Sequence, residues 1–175
     1  MEQNKTKGIY LYAMEYAIYL GLLFIIKLLL SANSSYSFMA LLAMLVLIAI
    51  PVLGFVLTRK FRNESGCTSF IQIFFFGLML YFFASLLSGI FEYVYYQYIN
   101  NEFFQEQLNA INKLAQELTS TGYIEDAELF NKELPLSPIA MVYQGMWGTL
   151  ILGAIYSLVL ALILRKKSQT VSNNQ

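Results

Sequence analysis

The chain has 175 residues, of which 58% are apolar and 13% are charged, and its formal net charge is zero. This excess of apolar over charged residues fits a membrane protein better than a soluble domain. The balanced charge indicates neither a nucleic-acid partner nor a strongly charged substrate. At this length there is room for one membrane domain, over residues 1–175, and little else.

Four apolar runs have about 20 residues or more, the length that a helix needs to cross about 30 Å of hydrocarbon. They cover residues 8–30, 36–57, 70–96 and 139–164. We therefore expect an all-α fold, a four-helix transmembrane bundle. A long connection, residues 99–138, separates the third run from the fourth.

The first run, "IYLYAMEYAIYLGLLFIIKLLL", contains two ionisable residues, Glu15 and Lys27. It is longer than the apolar region of a signal peptide, so we interpret it as a membrane span. Glu15 should lie about 10 Å inside the inner boundary, too deep for its short side chain to reach water. It is predicted to be either a hydrogen-bonded structural carboxyl or a site for a proton or cation.

The second run carries no charge, and Pro51 lies within it. A proline inside a helix removes one backbone donor and frees the carbonyl four residues earlier, here that of Leu47. We therefore predict a kink at Pro51, which membrane helices tolerate when neighbouring groups satisfy the freed carbonyl.

The third run has Glu92 near its outer end, at nearly the depth predicted for Lys27. These two residues are predicted to form a structural ion pair or to reach the same interface. Small residues spaced by four predict a close contact between the third and fourth helices, with a homodimer face as the alternative. These are Ser85 and Gly89 on the third helix, and Gly145, Thr149 and Gly153 on the fourth.

The connection 99–138 contains two lysines and seven acidic residues, a net charge of −5. An amphipathic helix is predicted from the apolar spacing of Phe104, Leu108, Ile111, Ala115 and Leu118, with Gly122 as its stop. A second short helix is predicted over "IEDAELFNKEL". We expect a helical cap on the outer side of the bundle; a lid that binds a ligand or partner is the alternative.

Lysine and arginine are distributed unequally between the two sides. Eight lie on the side of the termini and of the second connection: Lys5, Lys7, Arg59, Lys60, Arg62, Arg165, Lys166 and Lys167. Only Lys113 and Lys132 lie in the long connection. The positive-inside rule therefore predicts a multi-pass protein of the inner membrane with both termini in the cytoplasm.

Three stretches carry a resemblance to a known family. They are the basic turn "TRKFRNESGCTSF", the helix start "SFIQIFFFG" with Ser69, Phe70 and Gly77, and the last helix with its basic stop, "LSPIAMVYQGMWGTLILGAIYSLVLALILRKK". In these the chain resembles a bacterial family catalogued as domain of unknown function 4199. The resemblance implies a small multi-pass membrane fold and supplies no functional residues.

No catalytic motif is visible in the sequence. The absence of histidine and the single cysteine, Cys67, exclude His-ligated metal sites, His general bases and an intramolecular disulfide. We therefore expect no enzyme activity, no catalytic residues, no metal site and no cofactor.

Two function classes remain for a chain whose immediate partner is the lipid bilayer. The first is a structural or accessory membrane component that forms a homo-oligomer or joins a larger membrane complex. The alternative is a small transporter or channel subunit in which Glu15 binds a proton or cation. An envelope sensor that works through the acidic connection is a third possibility.

Overall fold

A computed structural model describes residues 8–33, 37–66, 69–121 and 137–164. Its elements, in chain order, are α1 (Ile9–Ala32), α2 (Ser37–Ser65), α3 (Phe70–Val94), a π-helical turn (Tyr95–Ile99), α4 (Asn101–Ser120) and α5 (Pro138–Leu164). All of these elements are helical. Four helices are long and apolar enough to cross a membrane: α1, α2, α3 with its π-helical turn, and α5. The predicted all-α class is confirmed for the described residues, with four helices of membrane-spanning length and apolarity, and these helices indicate a membrane protein.

Two helices are longer than the apolar runs that predicted them. The second helix continues from the expected end at residue 57 to Ser65, and the third continues from residue 96 to Ile99. The reason is that hydropathy marks only the part that hydrocarbon can cover, whereas backbone hydrogen bonds continue a helix into water. The second short helix predicted over residues 124–134, and Gly122, lie outside the described residues.

Helix α3 is the centre of the bundle. Helices α1 and α5 both pack along α3, but they make few contacts with each other. The side of α3 that supports them is buried at Ile73, Phe76, Gly77, Leu80, Tyr81, Ala84, Ser85 and Gly89. The arrangement leaves a groove with α3 as its floor and α1 and α5 as its walls.

Helix α2 fills only one half of this groove. From Ile50 onward one face is buried, at Ile50, Gly54, Leu57, Thr58 and Phe61. Before that point no large side chain is fully buried among the described residues: Met39, Leu42 and Val46 are half-buried, and six others are exposed, at Phe38, Leu41, Met44, Leu45, Leu47 and Ile48. The change coincides with Pro51, and a proline inside a helix is a usual cause of a bend. The Tyr156 hydroxyl of α5 donates a hydrogen bond to the Pro51 carbonyl at 2.6 Å.

Polar contacts close the bundle at the end where α2 stops, which we call the Arg62 end. The Arg62 guanidinium donates to the carbonyl of Leu164, the last residue of α5, at 3.1 Å. The Tyr16 hydroxyl of α1 donates to Glu64 at 2.5 Å. Lys60 lies 3.8 Å from Glu64 and 5.1 Å from the centre of the Tyr16 ring. These contacts join α1, α2 and α5 at this end.

Close approach of α3 and α5 occurs at two of the predicted small residues. A Cβ added to Gly153 would lie 2.6 Å from Cβ and Cγ of Tyr81, and one added to Gly89 would lie 2.9 Å from the Met146 sulfur. Ser85, a third predicted position, is buried on α3.

The structure differs at the other two predicted positions, Gly145 and Thr149. A Cβ added to Gly145 would meet open space, and the Thr149 hydroxyl donates to the Gly145 carbonyl at 3.0 Å. Gly145, Thr149 and Gly153 are evenly spaced along α5, but of these three only Gly153 packs closely against α3. The two helices remain close here, because Val142 and Met146, on either side of Gly145 in the sequence, both lie near Gly89. Residues spaced by four turn about 40° around a helix at each step, so Gly145 lies about 80° from Gly153 and faces away from α3.

We predict that Gly153→Ala lowers the free energy of unfolding by about 1–3 kcal/mol, because the added methyl would overlap the first carbons of Tyr81 and force a backbone shift. Denaturant unfolding in detergent micelles would measure the change. The matched control is Gly148→Ala on the same helix, where nothing lies within 4 Å of the added carbon. It should be neutral or stabilising by up to about 1 kcal/mol. Equal losses in both variants would contradict the packing described here.

Candidate functional site: a polar cavity at the α4 end

The other end of the bundle, which we call the α4 end, is formed by the junction of α3 and α4. The π-helical turn ends α3, and the Asn100 side chain then caps α4 by accepting a hydrogen bond from the Phe103 backbone N–H at 2.9 Å. Phe103 and Phe104 are buried against Tyr95 and Tyr96. These aromatic contacts fix the first turns of α4 against the end of α3.

The predicted apolar face of α4 is only partly covered. Phe104 is buried, whereas Leu108, Ile111 and Leu118 are half-buried. Phe103, which lies outside the predicted stripe, is buried beside Phe104. The helix is therefore attached mainly through its first turns.

Two adjoining cavities, of about 250 and 360 Å³, lie between α1, α3 and α5 below α4. Both are lined by Lys27, Leu28, Glu92 and Gly145. The first also contacts Phe24, Ile25, Ser88, Met146 and Thr149. The second also contacts Ser31, Tyr96, Phe103, Gln107, Ile111, Met141 and Gln144. They occupy the half of the groove that α2 leaves unfilled. We refer to them together as the outer cavity, because they lie at the end that the sequence pattern predicts to be the outer one.

The outer cavity contains one acid and one base. Glu92, on α3, is half-buried, and its carboxylate accepts a hydrogen bond from the Tyr96 hydroxyl at 2.9 Å. Lys27, on α1, is exposed and lines the same cavity. The structure thus brings the two predicted residues into one cavity, while a direct ion pair between them stays a prediction. The direct partner of Glu92 is Tyr96.

The hydroxyl groups near the cavity bond to their own helices. Ser88 donates to the Ser85 carbonyl at 3.2 Å, and Ser85 donates to the Phe82 carbonyl at 2.8 Å. Ser88 lines the cavity, whereas Ser85, one turn deeper, is only 2% exposed. The polar part of the groove therefore ends between these two serines.

Glu15, the intramembrane acid singled out from the sequence, lies elsewhere. Its side chain is on an exposed face of α1, and it lines neither part of the outer cavity. The cavity residue of α1 closest to it in sequence is Phe24, nine positions further along the chain. Within the described part of the chain, no group of three or more His, Cys, Asp or Glu could hold a metal ion.

Sequence reasoning found the two charges but missed the cavity around them. One signal was available, since Ser88, Glu92 and Tyr96 are spaced by four and therefore share one face of α3. Gln107 and Gln144 gave no comparable signal, because their place in the cavity depends on how α4 and α5 pack at this end.

We predict that a charged, water-soluble thiol reagent labels Ser88→Cys at least about tenfold faster than Ser85→Cys, because only the first position lines the cavity and a buried thiol is protected from the reagent. Both variants would be made on a Cys67→Ser background, and labelling would be followed by mass spectrometry. Similar labelling rates for the two variants would contradict the conclusion that the polar part of the groove ends between positions 85 and 88.

Comparison with known proteins identifies the family of this chain. A family model described as "Protein of unknown function (DUF4199)" matches residues 15–166. This range begins at Glu15 and includes all the residues that line the outer cavity. No curated protein and no solved structure matches the chain. The chain therefore belongs to the DUF4199 family.

Proposed function

We propose that this chain is a non-enzymatic accessory protein of the bacterial cytoplasmic membrane, and that it binds a small zwitterionic group in the outer cavity. The proposed topology has both termini in the cytoplasm. Arg59, Lys60 and Arg62 lie at the Arg62 end, and the positive-inside rule assigns this end to the cytoplasm. The α4 end, with the outer cavity, is then extracytoplasmic.

The observation that carries the proposal is the presence of Lys27 and Glu92 in one partly open cavity with polar walls. Charged side chains inside membrane helices are costly and usually mark a binding site or a pathway. A zwitterionic ligand would neutralise both: its anionic group would bind the Lys27 ammonium, and its cationic group would bind the Glu92 carboxylate. Ligands with only one charge would leave the other protein charge uncompensated.

A binding role fits the lining better than catalysis does. The Ser88 and Thr149 hydroxyls donate to backbone carbonyls of their own helices, at 3.2 and 3.0 Å. A nucleophilic hydroxyl would instead donate to a general base, whereas Glu92, the carboxylate of this cavity, accepts its hydrogen bond from Tyr96. Amide side chains, Gln107 and Gln144, complete the polar wall and are suited to hydrogen bonding with a ligand.

The first half of α2 provides a surface for an accessory role. Its large apolar side chains, among them Phe38 and Met44, are exposed within the chain. We propose that the lipid bilayer covers this surface, or that another membrane helix does so in a homo-oligomer or a larger complex. Transport through Glu15 has less support, because Glu15 lines neither part of the outer cavity.

We predict that glycerophosphoethanolamine, a soluble zwitterion, binds the detergent-solubilised protein more tightly than glycerol 3-phosphate or ethanolamine does. Lys27→Met and Glu92→Gln should each weaken this binding about tenfold or more, because each removes one charge-assisted contact. Isothermal titration calorimetry would give the dissociation constants. The charge-exchanged variant, Lys27→Glu with Glu92→Lys, should retain binding, because a free zwitterion can turn round in the cavity.

Two variants on the surface of α4 serve as matched controls, Lys113→Met and Glu117→Gln. Both residues are exposed, and neither lines the outer cavity. They should leave the dissociation constant unchanged. The proposal would be wrong if the zwitterion bound no better than its two halves, or if the control variants weakened binding as much as the cavity variants.

A further inference from the structure

The outer cavity opens sideways as well as toward α4. Helices α1 and α5 form its walls but make few contacts with each other, and the first half of α2 does not fill the space between them. Among the described residues, the groove over α3 is therefore open toward the membrane at this end. A ligand with apolar chains could enter from the bilayer without crossing the roof formed by α4.

Side chains around the cavity indicate that it lies at the level of the lipid headgroups. Near Lys27 on α1, the apolar side chains of Ile26 and Leu29 are 46% and 37% exposed. On α5, Tyr143 and Trp147 are exposed and lie at the same height along the helix as the cavity residue Gly145. Exposed tyrosine and tryptophan near the end of a membrane helix are typical of the membrane interface.

The two charges of the cavity differ in their distance from the opening. Lys27 is exposed on the wall of the groove, whereas Glu92 is half-buried on its floor and is held by Tyr96. A molecule that enters from the bilayer therefore meets the ammonium of Lys27 first and the carboxylate of Glu92 second. This order matches a headgroup in which a phosphate stands near the chains and an ammonium at the tip.

We propose that the ligand of the outer cavity is a phospholipid whose headgroup is a phosphate followed by a primary ammonium. Its phosphate binds Lys27, its ammonium binds Glu92, and its proximal chain carbons lie against Phe24, Leu28 and Met146. The inference rests on the proposed binding function and adds the ligand class, its source in the bilayer and its orientation. A free solute with the same phosphate and ammonium groups is the other possible source, and the experiment separates the two.

The primary ammonium follows from the chemistry of the Glu92 site. A carboxylate binds an ammonium most strongly through N–H donors, and each methyl group on the nitrogen removes one such donor. A trimethylated headgroup keeps the charge but offers no donor. Affinity should therefore fall along the series from the unmethylated to the trimethylated lipid.

The test measures lipid association by wild-type protein in nanodiscs, with native mass spectrometry as the readout. The probes share the same chains and carry phosphoethanolamine, its mono- and dimethylated forms, phosphocholine or phosphoglycerol. We expect occupancy to fall along the methylation series, with about a tenfold preference for phosphoethanolamine over phosphocholine. Phosphoglycerol, which lacks the ammonium, should bind no better than phosphocholine. This comparison uses the unaltered protein, so it does not depend on the folding of a variant.

The charge-exchanged variant distinguishes a lipid from a free solute. The chains fix a bound lipid with its phosphate toward the opening, so the exchange of Lys27 and Glu92 should abolish the phosphoethanolamine preference. Soluble glycerophosphoethanolamine should still bind this variant, because it can turn round. If the charge-exchanged variant kept both the phosphoethanolamine preference and the binding of glycerophosphoethanolamine, the lipid chains would not fix the direction of the headgroup. That result would overturn the lipid assignment.

The remaining outcomes are equally decisive. If glycerophosphoethanolamine binds but the nanodisc lipids show no preference for the primary ammonium, the ligand is a free solute and the lipid inference is wrong. If phosphoglycerol binds as well as phosphoethanolamine, the site recognises an anion and Glu92 has no part in it. If the soluble zwitterion also fails to bind, the proposed function itself is wrong.

Discussion

Two helices that pack on a third without packing on each other determine the form of this protein. Because α1 and α5 lie along α3 but make few mutual contacts, a groove runs over α3. These two helices cannot close the groove between them. Any part of the groove that no other element fills therefore stays open. Helix α2 occupies one half, and the other half is the outer cavity.

Glycines and aromatic rings make the closed half dense. Gly54 of α2 and Gly153 of α5 both face Tyr81 of α3, where an added Cβ would lie 2.5 Å from the hydroxyl and 2.6 Å from Cβ. Phe61 of α2 stacks on Phe76 of α3 with ring centres 4.0 Å apart. Backbones that approach this closely gain dispersion contacts, which are the main attraction between helices in lipid. This half of the groove therefore has no room for a ligand.

The α4 end differs in both packing and polarity. There the groove contains Lys27, Glu92, Ser88 and Tyr96 rather than stacked rings. Polar side chains in this half would be costly against lipid chains but are tolerated beside a water-filled or ligand-filled cavity. Unlike the Arg62 end, where hydrogen bonds join α1, α2 and α5, this end leaves room for a bound molecule.

The sequence by itself determined the membrane class and the four helices, and it singled out Lys27 and Glu92, which line one cavity. Apolar runs of sufficient length specify spans because hydrocarbon offers no partner for an unsatisfied backbone, and this constraint acts locally. The family could also be identified from the sequence, since its patterns lie within single helices and turns. The end of α2 was missed because polar residues such as Arg62 and Glu64 continue a helix that hydropathy does not detect.

Only the tertiary structure decided which intramembrane residues lie together. Glu15 and Glu92 are similar in sequence terms, each an acid followed by a tyrosine in an apolar helix, yet Glu15 is exposed and Glu92 lines a cavity. Likewise, Gly153 packs closely while Gly145, two turns away on the same helix, faces open space. Helical spacing gives the face of a helix on which a residue lies. Whether that face meets a neighbouring helix depends on how the helices are arranged around one another, and this is a property of the whole bundle.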